Sequence, residues 1–102
     1  MKHEVREEPG RVVVALVGEI DLDVSPTLRD LLLERVESSE VLHVDLREVS
    51  YIDSSGIATL VEAFQAARRQ EREFALTGVA GPVARVLELA RLDQVFTILD
   101  AD

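Results

Sequence analysis

Apolar residues fall along this chain in two arrangements, unbroken runs and spacings of three and four, and their succession predicts strands and helices in turn. Residues 3–7 predict a first strand, and Glu8-Pro9-Gly10 a turn that folds it back on residues 11–17 as a hairpin. The stretch from Val12 to Val17 is apolar without alternation, the pattern of a strand covered on both faces or central in a sheet. Gly18 ends it, and residues 19–24 form a mostly polar passage. Ser25 then reads as an N-cap with Pro26 at the first helical position, where a missing N–H costs nothing. Leu28, Leu31, Leu32 and Val36 share a helical face, which predicts a helix over residues 26–36. After the break at Glu37-Ser38-Ser39-Glu40, residues 41–46 predict a strand, and a helix between two strands implies a right-handed crossover with parallel pairing.

The pattern repeats twice more. Ile57, Leu60, Val61, Phe64 and Ala67 mark a helix over residues 55–69, residues 73–77 a strand closed by Gly78. Gly81-Pro82 opens a third helix with Val83, Val86, Leu87 and Ala90 on one face, and residues 95–99 give a short terminal strand. Without linker, repeat or low-complexity segment, the chain reads as one α/β domain over residues 1–102. Its expected fold is a mixed β-sheet with an N-terminal hairpin and α-helices packed against it.

Composition narrows the function. A chain of 102 residues, 47% hydrophobic, suits one core and not two. No apolar stretch has the roughly 18 residues that a membrane span requires, so no direct membrane insertion is expected, and Met1 to Arg6 lacks the apolar core of a signal peptide. With no cysteine, neither disulfides nor thiolate metal sites can form, which suits a reducing cytoplasm. Twenty acidic residues against eleven basic, a net charge of −9, argue against a nucleic-acid partner. The one basic cluster, Arg68-Arg69 with Arg72, is flanked by Glu71 and Glu73 and reads as the solvated end of a helix.

Catalytic chemistry is poorly supplied. His3 lies near the N-terminus and His43 alternates with apolar residues in a strand, so neither is placed as a general base. No G-x-S-x-G, G-x-x-x-x-G-K or G-x-G-x-x-G motif is present, and no catalytic residue or cofactor is assigned. Asp21, Asp23 and Ser25 offer oxygens at alternate positions like the start of a calcium loop, but Pro26 stands where that loop needs glycine and Leu32 where it needs glutamate, so no metal is assigned. One handle is left, Tyr51-Ile52-Asp53-Ser54-Ser55-Gly56-Ile57, where an apolar run meets two hydroxyls and a glycine at a helix mouth. The unpaired N–H groups and positive dipole of a helix start favour an anion there, so a serine in this position is either a plain N-cap or a phosphate acceptor. Two serines stand where a cap needs one, and Gly56 removes a side chain that would crowd an incoming kinase.

The chain resembles anti-sigma factor antagonists of the STAS family, whose domain is shared with sulfate transporters. The resemblance rests on Gly18-Glu19-Ile20-Asp21, on Val44-Asp45-Leu46 leading to Ile52-Asp53-Ser54-Ser55-Gly56-Ile57, and on Leu76-Thr77-Gly78-Val79 followed by Val86-Leu87-Glu88-Leu89 and Leu92. It spans nearly the whole chain. It implies that Ser55 accepts phosphate from a serine kinase that is itself the anti-sigma factor, and that Asp53 and Ser54 shape the turn, with Gly56 among the residues a partner meets. Asp21 and Asp23 would form the acidic loop beside it, making these five residues the expected partner-binding set. The implied mechanism is partner switching: the unmodified protein binds the anti-sigma factor and frees the sigma factor, and the phosphorylated form lets go. Members commonly carry a further C-terminal helix that has no counterpart before Asp102, so contacts made by such a helix are not expected. The chain is also similar to small STAS subunits that dock on the ATPase of lipid-transporting ABC transporters. There the motif often has threonine and glycine in place of Ser54 and Ser55.

Overall fold

The computed structural model describes residues 1–99. Strands β1 (Lys2–Glu8), β2 (Arg11–Ile20), β3 (Val41–Ile52), β4 (Glu73–Thr77) and β5 (Thr97–Leu99) form one sheet in chain order, β1-β2-β3-β4-β5. The β1–β2 pair is antiparallel and the other three pairs are parallel, so the sheet is mixed as expected. Helices α1 (Ser25–Ser38), α2 (Ser54–Arg69) and α3 (Gly81–Leu89) bridge successive parallel strands. The hairpin closes at Pro9-Gly10, where proline presets φ and glycine takes φ +81°, while Arg11 pairs with Glu8 at 2.8 Å beside the turn.

One row across the sheet, Val14, Val44 and Leu76, faces the helices. With Leu16, Leu42 and Leu46 it joins Leu28, Leu32 and Val36 of α1, Leu60, Ala63 and Ala67 of α2, and Val83 and Leu87 of α3 in one buried cluster. The neighbouring row, Val13, His43, Ala75 and Thr97, points to the opposite face, which carries no helix among the described residues. Phe64, Phe74 and Phe96 close the far end of the core, with Phe64 edge-on to both others at 6.3 and 5.5 Å between ring centroids.

Two strands outrun their sequence signal. The β2 strand passes through Gly18 to Ile20, and β3 continues past Leu46 to Ile52. The register between them shifts at Ala15/Val17 and again at Gly18/Glu19, and Gly18 sits at φ +101° in the second irregularity. The shifts spread the buried residues of β3 to Leu46, Val49 and Ile52, three apart, so the alternation that marks a strand is lost. At the other end β5 begins only at Thr97, because Leu92–Gln94 form a 3-10 turn after Arg91 at φ +60°. On α3, Val83 and Leu87 are buried while Ala90, expected on the same face, is exposed at the C-cap.

Two glycines are required by close approach. A Cβ on Gly56 would lie 2.7 Å from both Ile20 Cγ2 and Ile52 Cγ1, so this position seats α2 on the ends of β2 and β3. Gly56 is buried, and its missing side chain serves helix packing rather than access for a partner. Gly78 has φ +66° and a Cβ there would stand 2.7 Å from the Arg47 backbone nitrogen. Gly56→Ala is therefore expected to destabilise the fold by about 1–3 kcal/mol through overpacking, seen as a lower urea midpoint. A midpoint unchanged from the parent would show that α2 can be seated without the glycine.

Candidate functional site

The start of α2 is built on Asp53. This residue is the N-cap, in extended conformation, and its Oδ1 accepts from Ser55 N at 2.9 Å, Gly56 N at 3.1 Å and Ser55 Oγ at 2.6 Å. Its own N–H donates to Ile20 O at 3.1 Å, tying the cap to the last residue of β2. The carboxylate thus takes the cap role that the sequence suggested for a serine, because it follows the strand end directly and reaches two N–H groups with one oxygen. Those N–H groups are consequently engaged and do not form a vacant anion cradle.

Ser55 lies in the first turn of α2, half-buried, and Ser54 before it is exposed. On the inner side Ser55 Oγ meets Ser25 Oγ at 2.8 Å, and its carbonyl accepts from the buried Thr59 hydroxyl at 3.0 Å. Ser25 was expected to cap α1. The capping position is instead Val24, which makes no side-chain cap bond, and Ser25 is the first helical residue with its hydroxyl turned toward Asp21 O and Ser55. A cap is read from local sequence, whereas the partner that decides this hydroxyl lies 30 residues away.

The acidic loop between β2 and α1 borders the same point. Asp21 is partly buried and its Oδ1 accepts from Asp23 N at 3.1 Å, while its carbonyl accepts from Val24 N at 3.2 Å and Ser25 N at 3.0 Å. Asp23 is exposed, as is Leu22 between the two acids. Asp21, Ser25, Asp53 and Ser55 are therefore linked by hydrogen bonds, with Asp23 and Ser54 on the rim and Gly56 beneath. The Asp53 carboxyl is held below its ordinary range, first by the Ser55 hydroxyl and next by the Gly56 N–H, with the Ser55 and Leu22 N–H groups adding smaller effects.

The other candidates for chemistry lie elsewhere. His43 is on the face of the sheet away from the helices, and its pKa is lowered by burial first and by the Arg11 charge second. Arg68 stacks over Phe64 at 5.8 Å, and Arg72 donates to Ser39 O at 2.9 Å, so part of the basic cluster is structural rather than a solvated helix end.

The sign of the Asp53 shift gives a test. A carboxyl with a depressed folded pKa contributes stability above the unfolded carboxylate range and loses it as pH falls through the folded value. Asp53→Asn, which keeps a cap oxygen and removes the charge, is expected to melt below the parent at neutral pH, with the gap closing on acidification. A gap that does not change with pH would assign no stabilising role to the charge.

A family model described as "Mlab, STAS domain" matches residues 3–100. The anti-sigma-B factor antagonist of Listeria monocytogenes is 31% identical over 101 residues, covering 97% of this chain and 89% of that protein. Among solved structures, an anti-sigma factor antagonist from Mycobacterium paratuberculosis superposes with a TM-score of 0.87 at 26% identity, covering 95% of this chain and 83% of the other. The phosphorylated form of the Bacillus cell fate determinant SpoIIAA shares the fold, with a TM-score of 0.78 at 16% identity and coverage of 99% and 92%. With the sheet order, the three helices and the Asp-Ser-Ser-Gly turn in place, the chain belongs to the STAS domain family.

Proposed function

We propose that this protein is an anti-sigma factor antagonist acting in the cytoplasm: unmodified, it binds an anti-sigma factor that is a serine kinase, and phosphorylation of Ser55 releases it. The antagonists to which the chain is similar support that role, and the observation that carries the switch is the setting of the Ser55 hydroxyl. It is half-exposed at the mouth of α2 and lies 2.6 Å from an ionised carboxylate, with Asp21 and Asp23 in the bordering loop. The transfer joins Ser55 Oγ to the γ-phosphorus of ATP, and ADP leaves with the electrons of the broken bridge as the hydroxyl proton is released. The product carries roughly −1.5 to −2 of new charge at neutral pH.

That charge finds little relief in the fold. The Ser55 and Gly56 N–H groups already serve Asp53, so the dianion competes with a carboxylate for the helix end and adds to an acidic rim. A partner surface complementary to the unmodified rim then meets excess like charge and loses affinity. In this reading the chain is ligand and phosphate acceptor, and the catalytic groups belong to the kinase. Asp23 and Ser54 form the exposed contact rim with the partly buried Asp21 beside them, and Asp53 and Gly56 hold the turn in place.

Capture of partners from the source cell, followed by incubation with ATP and peptide mapping, is expected to recover an anti-sigma kinase and to place phosphate on Ser55. Phosphate on Ser54, or recovery of a transporter ATPase as the stoichiometric partner, would overturn the reading. By calorimetry, Ser55→Ala is expected to bind that kinase like the parent, and Ser55→Asp to bind about tenfold or more weakly. Equal affinities for the two variants would defeat a switch based on charge.

A further inference from the structure

Ser25 does no capping, yet its hydroxyl belongs to a buried residue at the heart of the site. The residue is only 6% exposed, and its Oγ lies 2.8 Å from Asp21 O and 2.8 Å from Ser55 Oγ. Four oxygens thus stand in a row, Asp21 O, Ser25 Oγ, Ser55 Oγ and Asp53 Oδ1, with successive contacts of 2.8, 2.8 and 2.6 Å. The row has three contacts and only two protons, since a carbonyl and a carboxylate bring none.

The surroundings decide where those protons sit. Ser55 donates to Asp53, the shortest contact and the one to a charged acceptor. Asp21 O already accepts from the Val24 and Ser25 N–H groups, so it has the least need of the Ser25 proton. The Ser25 proton has two acceptors within reach, Asp21 O and Ser55 Oγ, and when it points at Ser55 Oγ the Asp21 carbonyl keeps its two N–H donors. A buried hydroxyl donating to a second hydroxyl that donates to a carboxylate is a polarised relay, and it restrains the middle side chain at both ends.

We propose that Ser25 is a positioning residue for the switch at Ser55: its hydroxyl donates to Ser55 Oγ, holds that side chain inward in one rotamer, and engages one of the two lone pairs through which that oxygen can meet a phosphoryl group. The inference rests on the reading of Ser55 as the phosphate acceptor. Once phosphorylated, Ser55 Oγ has no proton for Asp53, and the phosphoryl oxygens are repelled by that carboxylate, so the side chain turns outward. Ser25 keeps Asp21 O as an alternative acceptor, so the turn strands no buried hydroxyl. Ser25 accordingly acts as a latch that favours the unmodified state and slows the modification of Ser55.

The test uses the full chain and begins without any kinase. Three-bond couplings of the Ser55 Hβ protons, measured by NMR, are expected to show one dominant rotamer in the parent and in Ser25→Thr, and averaging among rotamers in Ser25→Ala. Amide shifts away from the site report that the fold is kept, and Ser25→Cys, with its weaker donor, replaces Ser25→Ala if that variant does not fold. With the captured kinase, the initial rate of phosphate incorporation at Ser55 is expected to rise several-fold in Ser25→Ala and to return to the parent value in Ser25→Thr. One unchanged rotamer in Ser25→Ala overturns the positioning role whether or not any kinase acts, and an unchanged rate despite averaging overturns the latch. Averaging in a chain that no kinase modifies at Ser55 supports the coupling of the two serines and overturns instead the phosphate-acceptor reading on which the latch rests.

Discussion

A single carboxylate oxygen organises the start of α2 and the strand ends beneath it. Asp53 Oδ1 accepts two backbone N–H groups and one hydroxyl, and the Asp53 N–H is anchored on the last residue of β2. Through these bonds the direction of α2, the rotamer of Ser55 and the join between two parallel strands become one constraint. Gly56 completes it from below, because α2 can sit on Ile20 and Ile52 only where no Cβ intervenes. The helix mouth is therefore rigid at its base and polar at its lip, and a chemical change at the lip cannot be absorbed by shifting the helix.

The division of labour between the two faces of the sheet follows from topology. Strands in chain order with successive crossovers bring all three helices into contact with one face, where Val14, Val44 and Leu76 are fully buried. The helices are also stitched to each other, α1 to α2 by the Arg29–Glu62 ion pair, although an exposed pair of this kind contributes at most about 1 kcal/mol. Packing rather than charge holds the layers together. The acidic excess of the chain is then not what holds the fold together.

Much of this was legible in the amino-acid sequence, and the limits have physical causes. Helices α1 and α2 show in their spacing because each packs one face on an unbroken core, and the Pro9-Gly10 hairpin shows because proline and glycine supply the φ angles such a turn takes. The lengths of β2 and β3 do not show, since paired register shifts replace alternation with a three-residue spacing. At the site, the Asp-Ser-Ser-Gly motif and the acidic loop stand out, while the roles inside them do not. Local rules assign a cap to Ser25 and leave Asp53 as turn material, yet the long-range contact with Ser55 draws the Ser25 hydroxyl away and the carboxylate takes over the helix end. Likewise Gly56 has an obvious local meaning as a small residue, but its real constraint is the pair of isoleucines that converge under it.

Strand order equal to chain order has a consequence for how the protein comes into being. The elements that make the site, β2, α1, β3 and the start of α2, lie in one continuous stretch of chain, and β4, α3 and β5 add the far edge and the aromatic end of the core afterwards. During synthesis from the N-terminus, every atom of the Asp21–Ser25–Ser55–Asp53 row is present in the chain before β4, α3 and β5 have been made. No later segment has to thread back to complete it. This hydrogen-bonded row is thus laid down early, and β4, α3 and β5 enclose the core on which it stands.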